Sequence, residues 1–366
     1  MTGLERLIAH PQPLGCAALY TNHTGFTGDF TPAAVAIQNA GMKLEKLFAP
    51  EHGIDGSGKE GEAPDVALDT ASGLPVVTLY DKSPEQVVEA LTGLDCVLFD
   101  IQSVGTRFYT YLASLSRLLE ACRTAQVKLI VLDRPNPNGN RIEGAMLEAK
   151  FASFVGIPDV PLRFGLTYGE MAKHLSNKWD GLEVIQCDLS DALPWVAPSP
   201  NMPTLETVAL YPGLCLVEGT DWSEGRGTTL PFQVFGAPNV DAHGLVSRLN
   251  GLGLQGVRFR PTFFTPNYQK HNGLLCAGAQ IHVAGQLMDV LPIGLSIVVV
   301  AKEFGAEYKL KWLQKLLGTG ILESDLTLEN IPNLIRAWNV ATNRMWLERI
   351  QSSILYPRDF ILTGHT

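Results

Sequence analysis

The first half of the chain alternates short apolar runs with segments of helical patterning. The pattern predicts strands at residues 16–20, 44–48, 76–79, 96–99 and 129–132, and helices at residues 32–40, 84–91 and 108–125. Pro32 and Pro84 each follow a threonine or serine, as in a capped helix start with proline in the first turn. Since the strands are apolar throughout and alternate with helices, we predict a doubly wound α/β fold around a parallel sheet.

The regular alternation continues to about Pro231 and is then lost. Residues 133–144 are dense in Pro, Asn and Gly and predict a long loop, whereas Thr167 followed by Glu170 predicts a capped helix. Two strands and several helices are predicted after Pro231. The length of 366 residues fits two domains at roughly 150 residues each. We therefore expect an α/β domain at residues 1–231 and a smaller α+β domain at residues 232–366.

The formal net charge of −9 argues against nucleic acid as a partner, because phosphates require clustered Lys and Arg and no such cluster is present. The six cysteines form no CxxC pair and mostly lie in apolar runs. This spacing predicts buried free thiols rather than a disulfide framework.

The N-terminal run MTGLERLIAHPQP lacks a basic region followed by an apolar stretch and a cleavage site, so no secretory signal is visible. The longest apolar run, DVLPIGLSIVVVAKEF, contains Pro292 and Gly294 and is too short to span a bilayer. We expect no membrane partner and a cytoplasmic location, or a periplasmic or secreted one if a leader has been removed.

Polar or ionisable residues directly follow four of the predicted strands; these are Asn22, Glu51, Asp100 and Asp133. Ligands of open parallel sheets bind at the carboxyl ends of the strands. We therefore expect a binding site at this edge, with the alternative that the polar residues merely end the strands.

The run PEHG places Glu51 and His52 in a turn directly after a strand. Half-burial disfavours the charged form of a carboxyl group, which is what a general acid near neutral pH requires. His52 could orient a carboxylate or bind substrate. The alternatives are a helix cap or salt bridge for Glu51, and a backbone hydrogen bond for His52.

The run FDIQSVGTRFYTY, residues 99–111, combines a strand end with a helix start. Asp100 and Gln102 alternate with apolar residues, and Arg107 and Tyr109 follow. An arginine can bind a carboxylate in a two-point fork, and a tyrosine can stack on a sugar face. The alternative is a helix N-terminus with ordinary polar groups.

The run EGTDWSEGRGTTLPF, residues 218–232, places Glu218, Glu224 and Arg226 among glycines. Two carboxylates facing each other across a cleft would suit glycoside hydrolysis. A flexible linker near the domain boundary is the alternative.

Other chemistries lack their motifs. GFTGDF and GIDGSGKEG do not match a phosphate-binding loop in its strand–turn–helix setting, and no GxSxG elbow is present. The histidines show neither HExxH nor another paired-ligand spacing, so no metal site is predicted.

Seven runs, in this order, resemble one family, the exo-acting β-N-acetylmuramidases, long catalogued as a domain of unknown function. They are LFAPEHGIDG, GLPVVTLYDKSP, DCVLFDIQSVGTRFYTYL, LDRPNPNG, GLTYGEMA, YPGLCLVEGTDWSEGRGTTLPFQVFGAP and PTFFTPNYQKHNGLLCAG. The similarity extends from about Tyr20 to about His282. Long runs in a fixed order make it more specific than any single motif.

The resemblance implies a Rossmann-like N-terminal domain, a smaller C-terminal domain and an active site in the cleft between them. It implies release of N-acetylmuramic acid from the non-reducing end of peptidoglycan fragments, with no metal or organic cofactor. The catalytic glutamate of the family's EHG motif corresponds to Glu51. The chain departs from the family at GIDG, where an aromatic residue is common, and at Gln102-Ser103, where an acidic residue is frequent.

On these grounds we hypothesise that Glu51 is the general acid and that Asp100 or Glu218 is the second catalytic carboxylate. Arg107 or Arg226 would bind the lactyl carboxylate that distinguishes muramic acid from N-acetylglucosamine. Further substrate contacts are expected from residues near these groups, namely Asn22, His52, Gln102, Tyr109 and Glu224. Two alternatives stay open, a glycosidase for another N-acetylhexosamine and a non-catalytic glycan-binding protein.

Overall fold

The computed structural model describes residues 1–190, 193–287 and 289–363, and its strands form three sheets. The strands are β1 (Ala17–Thr21), β2 (Lys46–Ala49), β3 (Val76–Thr78), β4 (Cys96–Asp100), β5 (Lys128–Leu132), β6 (Arg141–Met146), β7 (Pro161–Phe164), β8 (Leu182–Ile185), β9 (Val234–Ala237), β10 (Val257–Phe264), β11 (Cys276–Val283) and β12 (Ile361–Leu362). The α-helices are α1 (Gly3–Ala9), α2 (Ala33–Asn39), α3 (Pro84–Ala90), α4 (Thr110–Ala125), α5 (Tyr168–Leu175), α6 (Leu205–Leu214), α7 (Ala242–Gly251), α8 (Leu291–Glu303), α9 (Leu310–Leu317) and α10 (Ile331–Ile350).

The largest sheet has six parallel strands in the order β3-β2-β1-β4-β5-β8. This is the strand order of doubly wound Rossmann sheets. Leu19 of β1 packs into a core with α1 and α2, whereas the next residue, Tyr20, packs into the core with α3 and α4. Helices thus cover both faces, and the predicted doubly wound α/β fold is confirmed.

The register brings the carboxyl ends of neighbouring strands side by side. Thr21, the last residue of β1, pairs with Asp100, the last residue of β4, and Ala49 of β2 pairs with Thr78 of β3. The chain order of the strands reverses between β1 and β4, which is where doubly wound sheets form their binding crevice.

Two of the three predicted helix starts have the expected cap. Ser83 caps α3 with Pro84 in the first turn, and Thr167 and Glu170 form a capping box at α5. The prediction for α2 is wrong, because Pro32 itself is the N-cap and makes no side-chain hydrogen bond there.

The predicted loop at residues 133–144 runs into a strand that the sequence analysis missed, β6. Glu143 makes the sequence of β6 look polar, but this side chain is fully buried in the strand and pairs with Arg163 of β7 at 3.2 Å. The buried ion pair supplies internally the partner that a polar strand residue normally finds in water.

The second half of the chain contributes an antiparallel sheet in the order β10-β11-β9, with α7 and α8 packed near it. Its end returns to the first half, because β12 pairs in parallel with β6 and Trp346 of α10 donates a hydrogen bond to the carbonyl of Phe164 at 2.9 Å. The smaller part is therefore joined to the larger one at more than one place along the chain.

The six cysteines are free, and five of them are buried as predicted, whereas Cys16 is half-buried. Over residues 1–190, 193–287 and 289–363, no helix combines the length and the apolar character needed to cross a membrane.

Helices α6 and α8 cross at two glycines, Gly213 and Gly294. A Cβ atom on Gly294 would lie 2.1 Å from the carbonyl oxygen of Gly213, which is backbone and cannot rotate away. The crossing therefore depends on the absence of a side chain at this point.

We predict that Gly294→Ala lowers the free energy of unfolding by about 1–3 kcal/mol, the usual cost of overpacking. Urea denaturation would measure it. Gly251→Ala is the matched control, because its Cβ would meet nothing within 4 Å at the end of α7 and alanine favours helix. Equal stability of the Gly294 variant and the wild type would contradict the close crossing.

Candidate active site

A cleft with a volume of about 220 Å³ lies between the carboxyl edge of the six-stranded sheet and the helices of the second half. The strand ends and nearby loops contribute Glu51, His52, Glu60, Tyr80, Tyr109 and Phe154. The segments after residue 200 contribute Asn201, Tyr211, Cys215, Glu218, Arg226 and Trp312. The lining mixes aromatic faces with a few charged groups, as pockets for small ligands do.

Glu51 follows β2 and is 4% exposed. The backbone N–H of Gly61 donates to its Oε1 at 2.7 Å, and the hydroxyl of Thr110, the first residue of α4, donates to its Oε2. Both oxygens are thus held by donors from different segments, so the orientation of the carboxyl group in the cleft is fixed.

His52 shapes the turn that carries Glu51. It has a left-handed φ of 70°, and the following Gly53 has a φ of 80°. Its Nδ1 lies 2.8 Å from the carbonyl oxygen of Gly58, so this nitrogen carries the proton and donates. The backbone bond predicted as the alternative role of His52 is present, and the residue also lines the cleft.

Arg226 is surrounded by three carboxylates. Its Nη2 lies 2.7 Å from Glu218, its Nη1 lies 2.6 Å from Glu60, and its Nε lies 3.6 Å from Glu224. The guanidinium also lies over the ring of Phe232, 4.9 Å from its centroid. Arg226 therefore holds together three carboxylates that would repel one another if they were left unpaired.

Glu218 and Glu224 each have a second partner. The indole N–H of Trp312 donates to Glu218 at 3.2 Å, and Lys270 pairs with Glu224 at 3.0 Å. Glu218 lines the cleft, whereas Glu224 is 3% exposed and lies behind it against Arg226 and Lys270. Of these two glutamates, only Glu218 is placed to reach a ligand in the cleft.

Glu60 is a cleft residue that the sequence analysis missed. Burial raises its pKa to about 7 against the lowering effect of Arg226, and the charges of Glu218, Glu224 and Glu51 add to the rise. The signal that could have found it is the position of Glu60, nine residues after Glu51 in the glycine-rich run GIDGSGKEG.

Asp100, the other predicted second carboxylate, is fully buried in an ion pair. Its two oxygens accept from Nε and Nη2 of Arg134, at 2.5 and 3.0 Å. It does not line the cleft, and this pairing removes it from the candidates for catalysis.

Arg107 is also placed in the interior and is 1% exposed. Its guanidinium donates to the carbonyl oxygens of Ala145, Val160 and Leu316, each at 2.8 Å. Burial lowers its pKa to about 9. Because both Nη atoms of Arg107 donate to the backbone and it does not line the cleft, Arg226 is the remaining candidate for a substrate carboxylate.

Three further predicted residues have different positions. Asn22 donates to the hydroxyl of Tyr111, which in turn donates to the carbonyl oxygen of Pro198 at 2.7 Å and lies 3.3 Å from the carbonyl oxygen of Glu51, so Asn22 supports the site from behind. Gln102 donates to the backbone at Ser103 and Pro135, outside the cleft. Tyr109 lines the cleft.

No group of three or more His, Cys, Asp or Glu side chains in the described part of the chain is arranged to hold a metal ion.

We predict that Asp100→Asn lowers the free energy of unfolding by about 3–5 kcal/mol, because it leaves the buried Arg134 without a countercharge. Thermal or urea unfolding would measure the loss. Asp159→Asn is the matched control, since its pair with Arg349 is exposed and should contribute far less. A loss no larger than that of the control would show that the buried pair is not needed.

The chain is similar to known proteins over most of its length. Models of the N-terminal and C-terminal domains of exo-beta-N-acetylmuramidase NamZ match residues 17–206 and 209–356. Peptidoglycan beta-N-acetylmuramidase NamZ of Bacillus subtilis (strain 168) is 39% identical over 337 residues, covering 86% of this chain and 81% of that protein. The predicted domain boundary at residue 231 stays a prediction, and the two matches meet between residues 206 and 209.

The fold is similar to crystal structures of two DUF1343 family proteins from Bacteroides fragilis NCTC 9343. Both are 27% identical to this chain, with TM-scores of 0.84 and 0.77. The first match covers 97% of this chain and 98% of the other, and the second covers 98% and 99%. Together with the matched domains, these similarities place the chain in the exo-beta-N-acetylmuramidase NamZ family of glycoside hydrolases.

Proposed function

We propose that the chain is an exo-glycosidase that hydrolyses terminal, non-reducing β-1,4-linked N-acetylmuramic acid from peptidoglycan fragments. The observation that carries this proposal is that two carboxyl groups held by different segments, Glu51 after β2 and Glu218 after α6, line one cleft, beside Glu60. Glycoside hydrolysis requires two such groups near the scissile bond. Family membership gives the substrate class.

Glu51 acts in this proposal as the general acid that protonates the leaving oxygen. Its support is the fixed orientation given by Gly61 and Thr110, because a proton donor must be held within hydrogen-bond reach of its acceptor. Glu218, fixed by Arg226 and Trp312, acts as base or nucleophile, or steadies the acetamido group of the substrate.

The aromatic residues of the cleft suit a sugar ring. Tyr80, Tyr109 and Tyr211 offer faces or hydroxyl groups, and Trp312 brings an indole beside Glu218. Such side chains combine apolar contact with a hydrogen-bonding end, which matches the alternating apolar and polar faces of a sugar.

The predicted cytoplasmic location stays a prediction. Fractionation of the source cells followed by immunodetection would test it. Recovery of the protein outside the cytoplasm would contradict that expectation without affecting the proposed chemistry.

We predict that the protein releases para-nitrophenol from the β-N-acetylmuramic acid glycoside and that Glu51→Gln lowers kcat by at least about 100-fold on substrates with a poor leaving group. Glu62→Gln is the control, because its side chain is exposed in the same turn. Near wild-type activity of the Glu51 variant on a poor leaving group would exclude the acid role. Binding of the glycan without turnover by the wild type would instead favour a glycan-binding protein.

We predict further that Arg226→Ala reduces kcat/KM more for the muramic acid substrate than for the matching β-N-acetylglucosaminide. The reason is that only the first substrate carries a carboxylate for the guanidinium. The readout is the ratio of the two kcat/KM values, which corrects for any general damage to the site. Equal losses on both substrates would mean that Arg226 does not recognise the carboxylate.

A further inference from the structure

The three carboxylates around Arg226 are not held equally. Glu218 is also held by Trp312, and Glu224 is also held by Lys270. Apart from Arg226, the partner of the Glu60 side chain among the described residues is the side chain of Gln269, at 3.5 Å. Its side chain is 35% exposed, against 11% for Glu218 and 4% for Glu224. Glu60 is therefore the partner of Arg226 that another anion can replace most readily.

Glu60 also differs in where it comes from. Glu218, Glu224 and Arg226 belong to one short segment, whereas Glu60 reaches Arg226 from the turn that follows Glu51. It lines the cleft, so the Nη1 side of Arg226 that it covers faces the space where a ligand would bind.

We propose that Glu60 is a specificity-determining residue whose carboxylate competes with the carboxylate of the substrate for the Nη1 side of Arg226. The inference rests on the proposed function, since it concerns the lactyl carboxylate of muramic acid. A sugar without a carboxylate does not compete for this position.

The charge balance of the site supports this competition. In the described part of the chain, four carboxylates, those of Glu51, Glu60, Glu218 and Glu224, lie near two cations that pair with them, Arg226 and Lys270. A fifth carboxylate from a ligand would add to the repulsion. Displacing Glu60 into solvent or protonating it relieves that repulsion, so binding of the ligand carboxylate is coupled to the charge of Glu60.

This coupling predicts how the affinity for a carboxylate sugar changes with pH. Burial raises the pKa of Glu60 to about 7, so its competing charge is mostly absent below that pH and present above it. Tyr80 and Tyr268 also face Glu60, but burial raises the pKa of Tyr80 to about 12 and that of Tyr268 above its usual value, so both stay neutral. The affinity of the wild type for a carboxylate sugar should therefore fall as the pH rises through 7.

Movement of Glu60 would also affect Glu51. The neighbouring Gly61 donates its N–H to Glu51 at 2.7 Å, so displacement of this turn changes a hydrogen bond of the proposed acid. Turnover rates would mix the two effects. Equilibrium binding of the free sugar is therefore the better measurement of competition at Arg226.

The test is calorimetric binding of N-acetylmuramic acid and of N-acetylglucosamine at about pH 6 and about pH 8, on either side of the pKa of Glu60. Glu60→Gln should bind N-acetylmuramic acid at least about fivefold more tightly than the wild type at the higher pH, the lower end of typical coupling between sites. Its affinity should also change little between the two pH values. Glu60→Ala should behave in the same way, and it replaces the glutamine variant if that one does not fold.

The control variant is Glu62→Gln, which removes an equal charge from the same turn without touching Arg226 and should follow the wild type at both pH values. Binding of N-acetylglucosamine should be the same in every variant. Unchanged or weaker binding of N-acetylmuramic acid by Glu60→Gln, or an equal gain for both sugars, would overturn the inference alone. Failure of the wild type to bind N-acetylmuramic acid at either pH would overturn the proposed function as well.

Discussion

Parallel pairing of six strands is the constraint on which the rest of the molecule depends. Because every strand of this sheet runs in the same direction, each must be reached by a crossover, and helices cover both faces. All carboxyl ends then lie at one edge, with Thr21, Asp100, Ala49 and Thr78 in register across four strands. The loops that leave this edge, rather than the strands, carry the groups that a ligand meets.

The large sheet could be predicted well because each of its strands is a short apolar run. Such a run can be recognised in the sequence without knowing its partners in the structure. It predicted the site only in part, because a polar residue at a strand end has two possible uses. Glu51 faces the cleft, whereas Asp100 faces Arg134, which lies 34 residues later in the sequence. No local pattern distinguishes these cases, since the choice depends on which long-range partner is within reach.

The sequence analysis missed further residues for the same reason, because their roles depend on partners that are distant in the sequence. Glu60 and Lys270 lie in irregular segments, and they meet at the Arg226 cluster only after the two halves of the chain have packed. β6 and α6 were missed because a buried ion pair and the internal Pro212 contradict the usual composition of their element types. Local preference was overridden in these places by tertiary contacts.

The cleft is more acidic than expected for a protein of a family that acts on a carboxylate sugar. Arg226 in the cleft and Lys270 behind it are both already paired with glutamates, and the buried Arg107 is engaged with backbone carbonyls instead. Selectivity in such a site depends on exchange between partners as much as on attraction. Glutamates that hold an arginine in place orient its guanidinium before a ligand binds. They also neutralise part of its charge, so its attraction for an incoming anion is weaker.

The short pairing of β12 with β6 has a consequence for the order in which the protein can be made. Residues 141–142 leave the ribosome long before residues 361–362, yet they are neighbours in one sheet. Residues of α10 likewise accept hydrogen bonds from the backbone of β6 at Gly144 and Met146. During translation this edge of the first half has to wait for the last part of the chain, so the two halves are not separate folding units that happen to share a cleft.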